Sequence, residues 1–72
     1  MNHNATWHLT CALTLIQVSD DWSTDVGPIE VPTTAWVRRL RPVDRITDGV
    51  SSFCQVRFDN EQTWVNCRTP TL

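Results

Sequence analysis

At 72 residues the chain has room for one small domain with a thin hydrophobic core. A hydrophobic fraction of 40% is too high for an obligately disordered chain, and with only two glycines it is neither collagen-like nor of low complexity. The net charge of −2 and a pI near 5.4 weigh against a dedicated nucleic-acid binder, although the charge is uneven: acids crowd Asp20 to Glu30 and arginines, the only cations, crowd Arg38 to Arg45.

Met1-Asn2-His3-Asn4 lacks the positive start of a secretion signal. The apolar run Leu9 to Val18 is far shorter than the roughly 20 residues that cross a bilayer. The expected location is therefore the cytoplasm of a bacterium or of a phage-infected cell. Residues 1–5 and 69–72 read as flexible ends of a single domain spanning 1–72.

From Trp7 to Val18, Trp7, Leu9, Cys11, Leu13 and Leu15 alternate with polar or small residues, which predicts one half-buried strand. Ser19 to Pro28 is rich in turn formers and reads as a loop carrying Trp22 and the paired carboxylates Asp20 and Asp21. Ile29-Glu30-Val31 reads as a short strand stopped by Pro32. Residues 33–42 fit either a helix capped by Thr33 or a strand; the expectation is a helical turn at Thr33 to Val37, then a strand from about Arg38 to Ile46. Asp48-Gly49 is a turn.

The last segment is the most informative. Centring a turn between Asn60 and Glu61 sets Phe58 against Thr63, Val56 against Val65 and Cys54 against Cys67. One face then carries Cys54, Val56, Phe58, Thr63, Val65 and Cys67, nearly all apolar, and the other Phe53, Gln55, Arg57, Trp64, Asn66 and Arg68. A slip of one residue would destroy this sorting. The fold expected is mainly β, a small antiparallel meander or SH3-like barrel of about five strands with one short helical turn.

The motifs of chemistry are absent. There is no P-loop, dinucleotide fingerprint or nucleophile elbow, so no catalytic residue is assigned and an enzyme is not expected. His3, His8, Cys11, Cys54 and Cys67 are suitable metal-ligand types, but they lack paired-knuckle spacing, so neither a metal nor another cofactor is expected. Cys54 and Cys67 lie close enough for a disulfide, yet two buried reduced thiols are favoured in a cytoplasmic setting. Cys11, Trp7 and Trp36 read as core.

Four tryptophans in so short a chain are unusual. Trp64 falls on the polar hairpin face beside Arg57, and Trp22 lies in the acidic loop. Exposed tryptophan beside arginine is the composition of an interface hot spot. The expected protein-binding residues are Trp22, Arg57, Trp64, Asp20 and Asp21. The alternative is a nucleic-acid face built from Arg38, Arg39, Arg41 and Arg57, with Trp64 stacking a base. A homodimer is compatible with either.

The segment Asn60-Glu61-Gln62-Thr63-Trp64-Val65-Asn66-Cys67 resembles, over its last four residues, the ending Trp-Val-Asp-Cys of some short phage-encoded anti-CRISPR proteins, with Asn66 in place of the aspartate. Size, acidity and the lack of a catalytic motif are similar to other phage host-takeover proteins, including inhibitors of host RNA polymerase. The resemblance implies a protein, from a phage or mobile element, that binds and blocks a host protein complex such as CRISPR machinery or RNA polymerase.

Overall fold

The alternation of large and small, apolar and polar residues over 53–57 and 65–68 permits one register only, and that register is present. The computed structural model describes residues 6–39 and 53–70. Strands β5 (Phe53–Arg57) and β6 (Val65–Arg68) pair antiparallel with Cys54 opposite Cys67 and Val56 opposite Val65. Cys54, Val56 and Cys67 are buried, while Phe53, Gln55, Arg57 and Arg68 are half-exposed on the other side.

Four further strands complete one antiparallel sheet: β1 (Thr6–Trp7), β2 (Leu13–Val18), β3 (Asp25–Val31) and β4 (Trp36–Arg39). The spatial order is β1-β4-β5-β6-β2-β3. Sequence neighbours are spatial neighbours at β2–β3, β4–β5 and β5–β6, and β6 returns to pair with β2. The result is a meander of barrel-like form.

The sheet curls because of one short connection. β3 and β4 stand four positions apart in the order, about 19 Å on a flat sheet. Only residues 32–35 join them, and the Ala35 N–H donates to the Pro32 carbonyl at 3.1 Å. Such a turn holds its ends within about 7 Å, so Val31 and Trp36 are at most about 15 Å apart. The two ends of the sheet must therefore approach each other. Leu15, Val31, Ala35, Val37, Cys54, Val56 and Cys67 fill the space so enclosed, with Leu9, Ile29, Phe58 and Val65 packed against them.

Several local expectations are corrected. The strand foreseen from Trp7 to Val18 is interrupted at residues 8–12, because β1 and β2 belong to opposite halves of the sheet order and the chain must cross between them. Leu9 still reaches the core, but Trp7 is 39% exposed and Cys11 is exposed; neither is core. Trp36 is half-buried, with its ring against His8 at 3.8 Å between centroids. The expected helical turn at Thr33 to Val37 is a β-turn, with β4 starting at Trp36, and there is no helix among the described residues. The continuation of that strand to Ile46 and the Asp48-Gly49 turn lie outside the described residues.

The loop expected over Ser19 to Pro28 is shorter, since β3 begins at Asp25. Gly27 and Pro28 read as breakers but sit in a strand at the sheet edge, the place in a sheet where a proline is tolerated. Gln17 pairs with Gly27 and Val18 with Asp25, so Val26 is the extra residue of a bulge and stands 62% exposed. Gly27 has φ of 151°, a region closed to side-chain-bearing residues. Nothing lies within 4 Å of where its Cβ would be, so the constraint is the backbone alone. Gly27→Ala is expected to cost about 1 kcal/mol or more and to lower the melting temperature by about 4–8 °C. A melt matching the parent would show that the bulge can flatten without cost.

Candidate functional site

The face of the sheet turned away from the core is organised by a row of polar side chains. Arg38 pairs with Gln55 across β4–β5, and Gln55 with Asn66 across β5–β6. The side chains follow the ladder. Arg38 Nε–H donates to Gln55 Oε1 at 2.9 Å, and Gln55 Nε2–H donates to Asn66 Oδ1 at 2.9 Å. Asn66 Nδ2 then spends both protons on main-chain carbonyls, those of Ser19 and Asp20, at 3.1 Å each. Asn66 is buried and satisfied, and among the described residues no buried side-chain polar atom lacks a partner. Such a fully bonded network fixes the geometry of what it connects.

At one end of this row lies Trp64, half-buried just before β6. The Arg38 guanidinium carbon is 4.0 Å from the centre of its ring and that of Arg57 is 5.8 Å away. Both are within the range of a cation–π attraction. Arg57 Nη1 also donates to the Glu61 carbonyl at 2.8 Å, which anchors the hairpin turn to the strand.

At the other end is the loop 19–24. Asp21 is its hub: one carboxylate oxygen accepts from Ser19 Oγ at 2.8 Å, Ser23 Oγ at 2.7 Å and Ser23 N–H at 3.1 Å. The Ser23 and Ser19 hydroxyls hold its pKa down, from 3.8 to about 2. Trp22 sits at the crest with φ of 67°, a left-handed conformation that is unusual for a bulky residue. Its ring meets Phe53 edge-on, with centroids 5.4 Å apart at 87°. Beside it Arg68 grips Asp25 with two bonds, Nε–Oδ1 at 3.0 Å and Nη2–Oδ2 at 2.6 Å, and the ion pair lowers the carboxyl pKa and raises that of the guanidinium.

Of the residues singled out for protein binding, Arg57 and Trp64 meet at one end of the polar row. Asp20, Asp21 and Trp22 lie in the loop at the other. Of the arginines of the alternative face, Arg38 and Arg57 share the Trp64 ring; Arg39 pairs with Cys54 in the ladder, and Arg41 lies outside the described residues. Cys54 and Cys67 stand directly opposite each other, with no disulfide between them. Burial, and secondarily the neighbouring Cys54, push the Cys67 thiol up to about 12. His8 Nδ1–H donates to the Ala35 carbonyl at 2.9 Å, and among the described residues no three metal-ligand side chains converge.

Sequence reasoning missed three participants: Arg38 as the nearer partner of Trp64, Phe53 as the support of Trp22, and the Gln55–Asn66 link. Gln55 and Asn66 were legible, since they alternate with buried residues in a known register. The contact between Arg38 and Trp64 was not, because it depends on which residue of β4 lies opposite β5. Comparison with known proteins adds no assignment: no family model, no curated protein and no solved structure matches the chain significantly. Among the described residues no helix is long and apolar enough to cross a membrane.

Two measurements probe this geometry. Because the Asp21 pKa is depressed in the folded chain, its contribution to stability is complete above about pH 4 and is lost as pH falls through about 2. A carbon-13 titration of the Asp21 carboxyl should give a midpoint near 2, and Asp21→Ala should abolish the acid-dependent change at the Trp22 indole; a midpoint near 3.8 would mean that the serines do not hold it. For the thiols, an alkylating reagent at mildly alkaline pH should modify Cys11 rapidly and leave Cys67 intact until denaturant is added. Rapid native labelling of Cys67 would contradict its burial.

Proposed function

We propose that this domain is a non-enzymatic protein-binding module whose working surface is the outer face of β4, β5 and β6 together with the loop 19–24. In its specific form the reading is an inhibitor, from a phage or mobile element, that docks on a host protein complex and blocks it. The observation that supports it most is the half-exposed Trp64 ring held by Arg38 and Arg57 on a hydrogen-bonded sheet. Tryptophan and arginine are the side chains that dominate interface energetics, and a ring already positioned loses little entropy on binding. Trp22 supports the same reading: a bulky residue kept at positive φ is local strain, which clusters at binding and catalytic sites.

The same Arg38–Trp64–Arg57 group supports a second reading, in which Trp64 stacks a base and arginines 38, 39, 41 and 57 track phosphates. The two differ in salt dependence, because phosphate contacts release counterions and weaken steeply as salt rises.

The test is affinity capture from host lysate with the parent and two variants, with and without nuclease and at two salt concentrations, followed by affinity measurement on the captured component. Trp64→Ala is expected to cost about 1–2 kcal/mol of stability, since the ring is only half-buried, but about 2 kcal/mol or more of binding, roughly thirtyfold in Kd. Trp22→Gly relieves the positive φ and is expected to keep the melting temperature within a few degrees while weakening binding. Equal binding by both variants would move the interface elsewhere. Capture abolished by nuclease, with a steep salt slope, would favour the nucleic-acid reading.

A further inference from the structure

Arg38, Arg57 and Arg68, the described arginines of the outer face, are not in equivalent states. Arg68 is closed by its two bonds to Asp25. Arg38 and Arg57 each spend one described hydrogen bond on a neutral oxygen, Gln55 Oε1 and the Glu61 carbonyl, and neither meets a carboxylate among the described residues. A guanidinium has five N–H donors, so among the described residues most of theirs are unspent. The Arg38 guanidinium carbon lies 4.0 Å and that of Arg57 5.8 Å from the Trp64 ring centre, so one ring gathers both cations, and a guanidinium attracted to a ring can still donate from its N–H edge. In a chain of net charge −2, two cations that meet no counter-charge among the described residues are brought to one aromatic ring.

We propose that Arg38 and Arg57 over Trp64 receive a single aspartate or glutamate side chain of the partner protein. The inference rests on the protein-binding reading and names the chemistry of the partner's anchor. A carboxylate is planar and matches the guanidinium edge with two parallel bonds. A run of phosphates is a poorer fit, because the charge reverses along the face. The polar row that begins at Arg38 ends on the main chain of Ser19 and Asp20, in the loop where Asp20 and Asp21 are exposed. A polyanion lying along the row would meet those acids, whereas one carboxylate seated at Trp64 would not.

The experiment is an NMR titration of the full nitrogen-15-labelled chain with the blocked tripeptide acetyl-Ala-Glu-Ala-amide, its Gln-for-Glu twin, and a ten-nucleotide oligothymidylate. The Trp64 indole N–H and the arginine Nε–H signals are followed. The glutamyl peptide is expected to give saturable shifts with an affinity in the millimolar range, at least about tenfold stronger than its neutral twin. Arg38→Gln with Arg57→Gln should abolish them. Arg38→Lys with Arg57→Lys, which keeps the charge and loses the fork, should weaken them several-fold; this pair serves if the glutamine variant does not fold. Equal shifts from the neutral twin, undiminished shifts in the arginine variants, or tighter binding of the oligonucleotide at physiological salt would each overturn the proposal. Its failure is distinct from failure of the binding face: partner capture lost in Trp64→Ala but retained in the arginine variants would remove the carboxylate receptor and leave the protein-binding reading intact.

Discussion

The pairing of Cys54 with Cys67 and Val56 with Val65 is the constraint from which the remaining structure follows. Side chains alternate across a strand, so this register assigns every residue of β5 and β6 to a face at once. Moved by one residue, Gln55 and Asn66 would enter the core and the valines would face water. The inner face supplies Cys54, Val56 and Cys67, three of the seven buried residues of the described core, with Val65 packed against them. The outer face supplies the polar row on which the loop 19–24 is fastened. Both the stability of the domain and the layout of its candidate surface therefore depend on a single hairpin.

Among the described residues the largest side chains fully buried in the core that this hairpin completes are those of Val31, Val56 and Cys67, and none of the four tryptophans belongs to it. All four indole rings stand outside the buried cluster. They lie at the periphery, where Trp36 covers His8, Trp22 leans on Phe53 and Trp64 lies beneath two arginines. The tryptophan content of the chain is thus a property of its periphery. Such rings bury area at low entropic cost when a partner covers them, which links their placement to the proposed function.

The treatment of charge along the outer face follows the same division. Asp21 and Asp25 are committed to internal partners, and their depressed pKa values record that commitment. The loop and the adjoining edge strand are thereby held in one conformation. Among the described residues Arg38 and Arg57 are committed to neutral oxygens and a ring. A surface with Asp21 and Asp25 bonded internally at one end, and with Arg38 and Arg57 meeting no carboxylate among the described residues at the other, has a direction.

Much of the mainly β character, the terminal hairpin and the adjacency of Trp64 and Arg57 could be read from the chain alone, because each depends on residues close in sequence whose alternation has period two. The opposed cysteines were legible for the same reason. Other features were not. The break between Trp7 and Leu13, the extension of β3 back to Asp25 through Gly27 and Pro28, and the placement of Arg38 over Trp64 all depend on strand order, which local propensity does not encode. Leu9, Cys11 and Leu13 alternate as if they shared a buried face, yet the chain must cross there from one half of the sheet to the other, and only Leu9 is packed on the core. Local sequence determined which residues share a strand face. Tertiary structure decided which faces meet, because the energy of burying a side chain depends on what lies across from it, and that neighbour comes from a distant part of the chain.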